Sequence, residues 1–174
     1  MRGYEACAAG YDELYSDEQD EKYRCLRDYW SQLCSPVLDC GCGTGRLLQS
    51  PWMQGKASVG VDCSLSMLMR ARQRLREVEG IALVQADVEY LPFRDRTFNG
   101  VISFSVVEDL PEWARVIGEM SRVARKGSCI IMSSVRKAFR RKAFSELLAK
   151  SDVRLMRFIE ERHVKDNVAI CMNG

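Results

Sequence analysis

An α/β protein built on a doubly wound, mostly parallel sheet is what this chain predicts, on three observations. Short apolar runs alternate along it with stretches whose apolar residues recur at helical spacing. One run, Cys129-Ile130-Ile131-Met132, is apolar on both faces, as a central strand of a covered parallel sheet must be. The length, 174 residues, suits one domain able to bury a core without disulfides or a metal.

The elements follow in order. A helical region is expected over Tyr11 to Leu33, with Ser16 and Gln19 as a capping box and Asp17 and Glu18 in the first turn. Val37-Leu38 reads as the first strand, followed by a glycine loop and a helix near Leu47. Ala57 to Val61 is the second strand. Leu65, Leu68, Met69 and Leu75 mark a helix over Leu65 to Val78. Strands over Ile81 to Ala86 and Phe98 to Phe104 come next. Pro111 suits the first turn of a helix carrying Trp113, Ile117, Met120 and Val123 on one face and closed by Gly127. After the fifth strand, Lys137 to Lys150 is helical. Val153 to Ile159 and Val168 to Met172 are the last strands, with a polar turn at His163 to Asn167.

Composition narrows the class. Apolar residues make up 47% and charged residues 29%, which is ordinary for a globular chain. The apolar runs are too short to cross a bilayer, and the acidic, tyrosine-bearing start has no apolar signal region, so no membrane contact and a cytoplasmic location are expected. Cys40, Cys63, Cys129 and Cys171, four of eight cysteines, sit in apolar runs and read as buried free thiols. With no C-x-x-C pair and His163 as the one histidine, no metal is expected. The net charge of +2 does not choose a partner.

Ligands of such sheets bind at the carboxyl ends of strands, where strand order reverses. After the first strand stands Asp39-Cys40-Gly41-Cys42-Gly43-Thr44-Gly45, whose glycines let backbone approach a ligand closely. A dinucleotide fingerprint is G-x-G-x-x-G, and here Arg46 occupies its last position. Asp39 faces the place of a pyrophosphate. A carboxylate there repels phosphate and suits an ammonium. Asp62 closes the second strand and can accept from two ribose hydroxyls, and Asp87 closes the third, where it can accept from an adenine amino group. Each acid alone also reads as a helix cap or strand-end solvating group.

Taken in order, VLDCGCGTG (37–45), VGVDCSLSML (59–68), QADVEYLPFRDRTF (85–98), FNGVISFSVVEDL (98–110) and EMSRVARKGSCIIM (119–132) resemble the class I methyltransferases that use S-adenosylmethionine (SAM) and release S-adenosylhomocysteine. The resemblance implies a seven-stranded sheet in a three-layer αβα sandwich, of order 3-2-1-4-5-7-6 with strand 7 antiparallel. It implies one domain over 1–174, with 1–35 as a helical lid. It places Asp39, Gly41, Gly43 and Gly45 around the methionine part of SAM and Asp62 at the ribose. Ser64, Met67, Asp87 and Val88 go to the adenine, and Ser103 lies beneath the cofactor. Tyr11 and Tyr15 match a lid segment. Two departures stand out: Asn99 follows Phe98 where relatives have Asp, and Glu108-Asp109 replace a pair of histidines.

Glu108 is the candidate general base, and Tyr15 is a second candidate catalytic group; Asp109 reads as a helix cap. The run Arg136, Lys137, Arg140, Arg141, Lys142 fits either a solvated helix face or a phosphate backbone such as RNA. Small molecule, RNA and protein all stay open as acceptor. An enzyme this small needs a substrate that brings its own specificity, or a small helper subunit. Two other readings remain: a non-catalytic SAM-binding subunit, and a Rossmann enzyme for another nucleoside.

Overall fold

The computed structural model describes residues 11–106 (backbone only for 11–14), 113–137, 140–159, 161 and 164–174. Helix α1 (Tyr11–Cys25) leads through a 3₁₀ turn at Trp30–Gln32 into strand β1 (Val37–Cys40). Then come α2 (Arg46–Gln49), a 3₁₀ turn at Pro51–Met53, β2 (Ser58–Asp62), α3 (Leu65–Arg74), β3 (Ile81–Gln85) and β4 (Phe98–Ser103). Helix α4 (Trp113–Val123) runs straight into β5 (Ala124–Val135), followed by α5 (Arg141–Ala149), β6 (Val153–Ile159) and β7 (Asp166–Asn173).

The strands form one sheet in the order β3-β2-β1-β4-β5-β7-β6. β7 is antiparallel to both its neighbours, and the other pairs are parallel. Order reverses between β1 and β4, so the carboxyl end of β1 is the switch point.

Alternate strand residues enter two separate cores. Leu38, Val101 and Ile130 pack with Ile117 and Met120 of α4 and Leu147 and Leu148 of α5. Their neighbours Val37, Ile102 and Ile131 turn to the other face, against Tyr23 of α1, Leu48 of α2 and Leu68 of α3. The result is the expected three-layer sandwich.

Several expectations needed correction. Ser16 is not a cap: α1 already runs from Tyr11 and carries Ser16 within it. The helix after the glycine loop is one turn, because Ser50 turns extended ahead of Pro51. α3 stops at Arg74, with Leu75 as its C-cap, and Val78 lies in a following turn. The helix expected to end at Gly127 ends at Val123, because Ala124 pairs with Phe98 and already belongs to β5; Gly127, at φ +72°, sits at the irregularity. α5 is shorter than Lys137 to Lys150, and β7 takes in Asp166 and Asn167 from the expected turn. Cys40, Cys129 and Cys171 are buried, whereas Cys63, just past the end of β2, is exposed. Glu108, Asp109, Pro111, Phe139 and His163 lie outside the described residues.

Candidate functional site

The site is built on the turn after β1. The amides of Gly41 and Cys42 both donate to the Val61 carbonyl, at 2.8 and 2.9 Å, and dock the turn on the end of β2. Gly41, Gly43 and Gly45 all have positive φ. At Gly41 (φ +77°) a Cβ would fall 2.3 Å from Val106 Cγ2. At Gly45 (φ +76°) it would meet Leu75 Cδ1 at 3.0 Å and Ala71 Cβ at 3.1 Å, so glycine lets α3 press close. The space beside Gly43 is open, with nothing within 4 Å of a Cβ there.

Asp62, at the end of β2, staples two loops. Its Oδ2 accepts from the Gly43 amide and its Oδ1 from the Ser64 amide, both at 2.9 Å. Burial lifts its pKa, and the amide bonds pull against that. Ser64 caps α3 by accepting from the Met67 amide at 3.3 Å, which sets Ser64 and the buried Met67 beside Asp62. Asp87 follows β3, and its Oδ1 accepts from the Glu89 amide at 2.9 Å. Val88 turns inward into the core.

Asp39 is 3% exposed, and burial, with Asp62 adding repulsion, raises its pKa to about 7. Among the described residues no cation lies close enough to oppose this. Asp39, Gly41, Gly43 and Phe104 share a cavity of about 50 Å³ with Tyr15, Gln19 and Tyr23 of α1. Tyr15 is thus at the site, 44% exposed; Tyr11 opens α1, its side chain outside the described atoms. Ser103 ends β4, wholly buried, with its hydroxyl unpartnered. Asp39, Asp62, Ser64, Asp87 and Ser103 therefore all stand at or just past the carboxyl ends of β1 to β4, with Asp39 beside the glycine turn and Asp62 bonded to it.

Sequence reasoning missed the polar groups that hold α1 over this turn. Lys22 and Asp166, both fully buried, form an ion pair at 2.5 Å. Ser105 Oγ accepts from Lys22 Nζ at 2.7 Å and donates to Asp166 Oδ2 at 2.8 Å, and Ser133 donates to the same oxygen at 2.7 Å. Arg46 clasps Asp20 through two bonds, at 3.1 and 2.6 Å. No local signal marks these pairs: Lys22 sits in an acidic run that looks solvated, and its partner is in the last strand. The basic run behaves mainly as surface. Arg136 donates to the carbonyls of Asp166 and Glu161, and the Arg141 guanidinium lies 5.1 Å from the Phe158 ring centre.

A family model described as a methyltransferase domain matches residues 38–132, more than half the chain. The chain belongs to the methyltransferase domain family. The glycine turn and the acids and serines from Asp39 to Ser103 lie within the matched part of this methyltransferase domain, and the α1 residues beside them lie before it. Phosphatidylethanolamine N-methyltransferase of Cereibacter sphaeroides is 40% identical over 101 residues, 55% of this chain and 48% of that one. The chain spans about half the length of such curated relatives. Among solved structures, magnesium protoporphyrin IX methyltransferase (ChlM) from Synechocystis PCC 6803 with bound SAM superposes with a TM-score of 0.71 at 20% identity, over 91% of this chain and 79% of that one. A Haloferax volcanii complex between the Trm112 methyltransferase activator and a methyltransferase superposes with a TM-score of 0.75 at 15% identity, over 98% and 97%. At these identities the likeness is one of fold: a Rossmann-like sheet with β7 antiparallel.

Proposed function

We propose that this methyltransferase domain binds SAM across the turn after β1 and transfers its methyl group to an acceptor entering at the carboxyl ends of β4 and β5. One observation carries the reading: Asp39 is a buried carboxylate beside an open glycine turn, with no cation near it among the described residues. A phosphorylated nucleotide would be repelled there, whereas an ammonium supplies the missing charge. The space beside Gly43 and the acids at the ends of β2 and β3 fit the rest of the same molecule: Asp62 the ribose, Asp87 and the Val88 backbone the adenine edge, with Ser64 and Met67 alongside and Ser103 beneath.

SAM supplies a methyl group on a sulfonium centre that loses its charge as an acceptor attacks in line. The chain's own work is then alignment and exclusion of water. Asp39 and the turn hold one end, Asp62 the middle, and α1, with Tyr15 at the mouth, covers the site. Holding reactants near contact lowers a barrier by roughly 7–11 kcal/mol at best. Glu108, in the segment joining β4 to α4, is the proposed proton acceptor where the acceptor must lose a proton. No metal is assigned a role.

Calorimetric titration with SAM and with NAD tests the reading. SAM binds and NAD does not; the reverse overturns it. Asp62→Ala weakens SAM binding by about 1.5–3 kcal/mol through loss of a charge-assisted hydrogen-bond pair; unchanged affinity removes Asp62 from the ribose.

Small molecules lead the acceptor classes, followed by RNA and protein, and labelled-methyl transfer into fractionated extract separates them. Among the described residues no helix is long and apolar enough to cross a membrane, and a cytoplasmic location is proposed with that. A second reading has one observation behind it: the Haloferax volcanii structure, matched over nearly its whole length, is a complex with an activator. By this reading the domain needs a small helper subunit, or is itself a non-catalytic SAM-binding subunit. Tight SAM binding with no transfer into any fraction by the isolated chain favours it.

A further inference from the structure

At the opposite end of the sheet from the glycine turn, by the amino ends of β4 and β5, lies a cavity of about 530 Å³. We propose that it is a second binding site, for a free amphipathic anion: a single carboxylate head on an apolar body.

The floor is apolar. Ile170 is buried, Met172 is half-buried beside it, and Met156 is 51% exposed at the lip, at the register shift between β6 and β7. Tyr29 and Gln32, at the 3₁₀ turn after α1, also line the cavity. The rim is basic. Arg125, Lys126 and Arg157 line it, all exposed, and no carboxylate does so among the described residues. Arg125 is already aimed: its Nε donates to the Arg96 carbonyl at 3.1 Å and one Nη to Asn99 Oδ1 at 3.0 Å, leaving the other Nη for a ligand. Three uncompensated cations beside a methionine-lined floor complement a molecule with one negative end and one greasy end.

Size and shape choose among anions. A volume near 500 Å³ lies within the range of about 300–1,000 Å³ typical of small-molecule sites. A nucleic acid would want an extended basic stripe and several aromatic platforms, and among the described residues Tyr29 is the one aromatic in the lining. A bilayer would want a convex apolar patch, not a hollow.

Cys34 provides a reporter. It lines the cavity and is exposed, whereas Cys63, also exposed, stands at the far end of the sheet beyond β2. Burial, with the Cys34 thiol beside it, holds neighbouring Cys129 at about 11, so it competes little for alkylation near neutral pH.

The test is titration of the full chain with decanoate and with decyltrimethylammonium, which share an apolar body and differ in charge. Iodoacetamide labelling is read peptide by peptide in parallel. Decanoate binds once per chain and slows labelling of Cys34 at least fivefold while leaving Cys63 unchanged; the cation does neither. Lys126→Glu with Arg157→Glu lowers decanoate affinity at least tenfold and leaves SAM affinity unchanged, and Lys126→Met alone gives a smaller loss. Equal binding of the cation, no protection of Cys34, or protection only by an RNA oligonucleotide, an acidic peptide or phosphatidylglycerol vesicles overturns the proposal.

Discussion

Asp39 is held in a place where its charge costs stability and, by the proposed function, serves binding. Its folded pKa of about 7 lies above the ordinary value of 3.8, so between those values the folded chain carries a proton that the unfolded chain has lost. Stability therefore falls as pH rises from about 4 to 7, by about 4 kcal/mol at 1.36 kcal/mol per unit. Asp39→Asn is predicted to be more stable than the parent at pH 8 by about 4 kcal/mol, with the difference nearly vanishing near pH 4; urea denaturation at the two pH values reads this. The same variant loses SAM affinity at pH 8. In the parent, SAM affinity falls about tenfold per unit below pH 7, because only the ionised carboxylate holds an ammonium. Gly41→Ala puts a Cβ against Val106 and strains a left-handed φ, and is predicted to cost about 1–3 kcal/mol in the same assay. The three acids were legible because each directly follows an apolar run. The staple from Asp62 to the Gly43 amide was not, since it joins residues that only the pairing of β1 and β2 brings together.

At the scale of elements, the proposed SAM site makes α1 the element that would decide access. It bridges the molecule through Arg46–Asp20 beside the turn and Lys165–Glu18 at 2.6 Å beside β7, around the buried Lys22–Asp166 pair. Lys22→Met leaves the Asp166 charge buried and is predicted to destabilise by about 3–5 kcal/mol; adding Asp166→Asn recovers part of that loss. The Arg46–Asp20 pair is partly exposed, so Asp20→Ala should cost under about 1 kcal/mol. Its effect is kinetic. About 50 Å³ beneath α1 is far short of the roughly 300 Å³ at the low end for small-molecule sites, so by the proposed function α1 side chains shift to admit SAM. Stopped-flow binding of Asp20→Ala is expected to show faster association and faster release; an unchanged association rate would mean that this clasp does not gate entry. α4 was readable from its apolar spacing, because one face meets one core. The end of α1 was not: the helix stops at Cys25 and not at Leu33, because a polar helix shows no such stripe to bound it.

At the scale of the whole molecule, two cores share each central strand, so neither helical layer can leave without exposing apolar residues of the sheet. Urea or heat is predicted to unfold the chain in one cooperative transition. SAM at a hundred times its Kd adds about 2.7 kcal/mol, a Tm rise of roughly 5–11 °C by differential scanning calorimetry. Two separate transitions, with SAM moving only one, would contradict the shared-strand picture.

What the amino-acid order determined by itself was local and periodic: which segments are strands, which faces they bury, and that an acid follows each of the first three. Those features arise from alternation and helical spacing, which neighbouring residues impose on one another. The buried Lys22–Asp166 pair, the carboxylate of Asp62 spanning two loops, and the basic-rimmed cavity at the far end belong to the tertiary structure alone. Each brings together groups from segments far apart along the chain, as Asp62 reaches the Gly43 amide, and only the order of strands in the sheet sets them at contact distance.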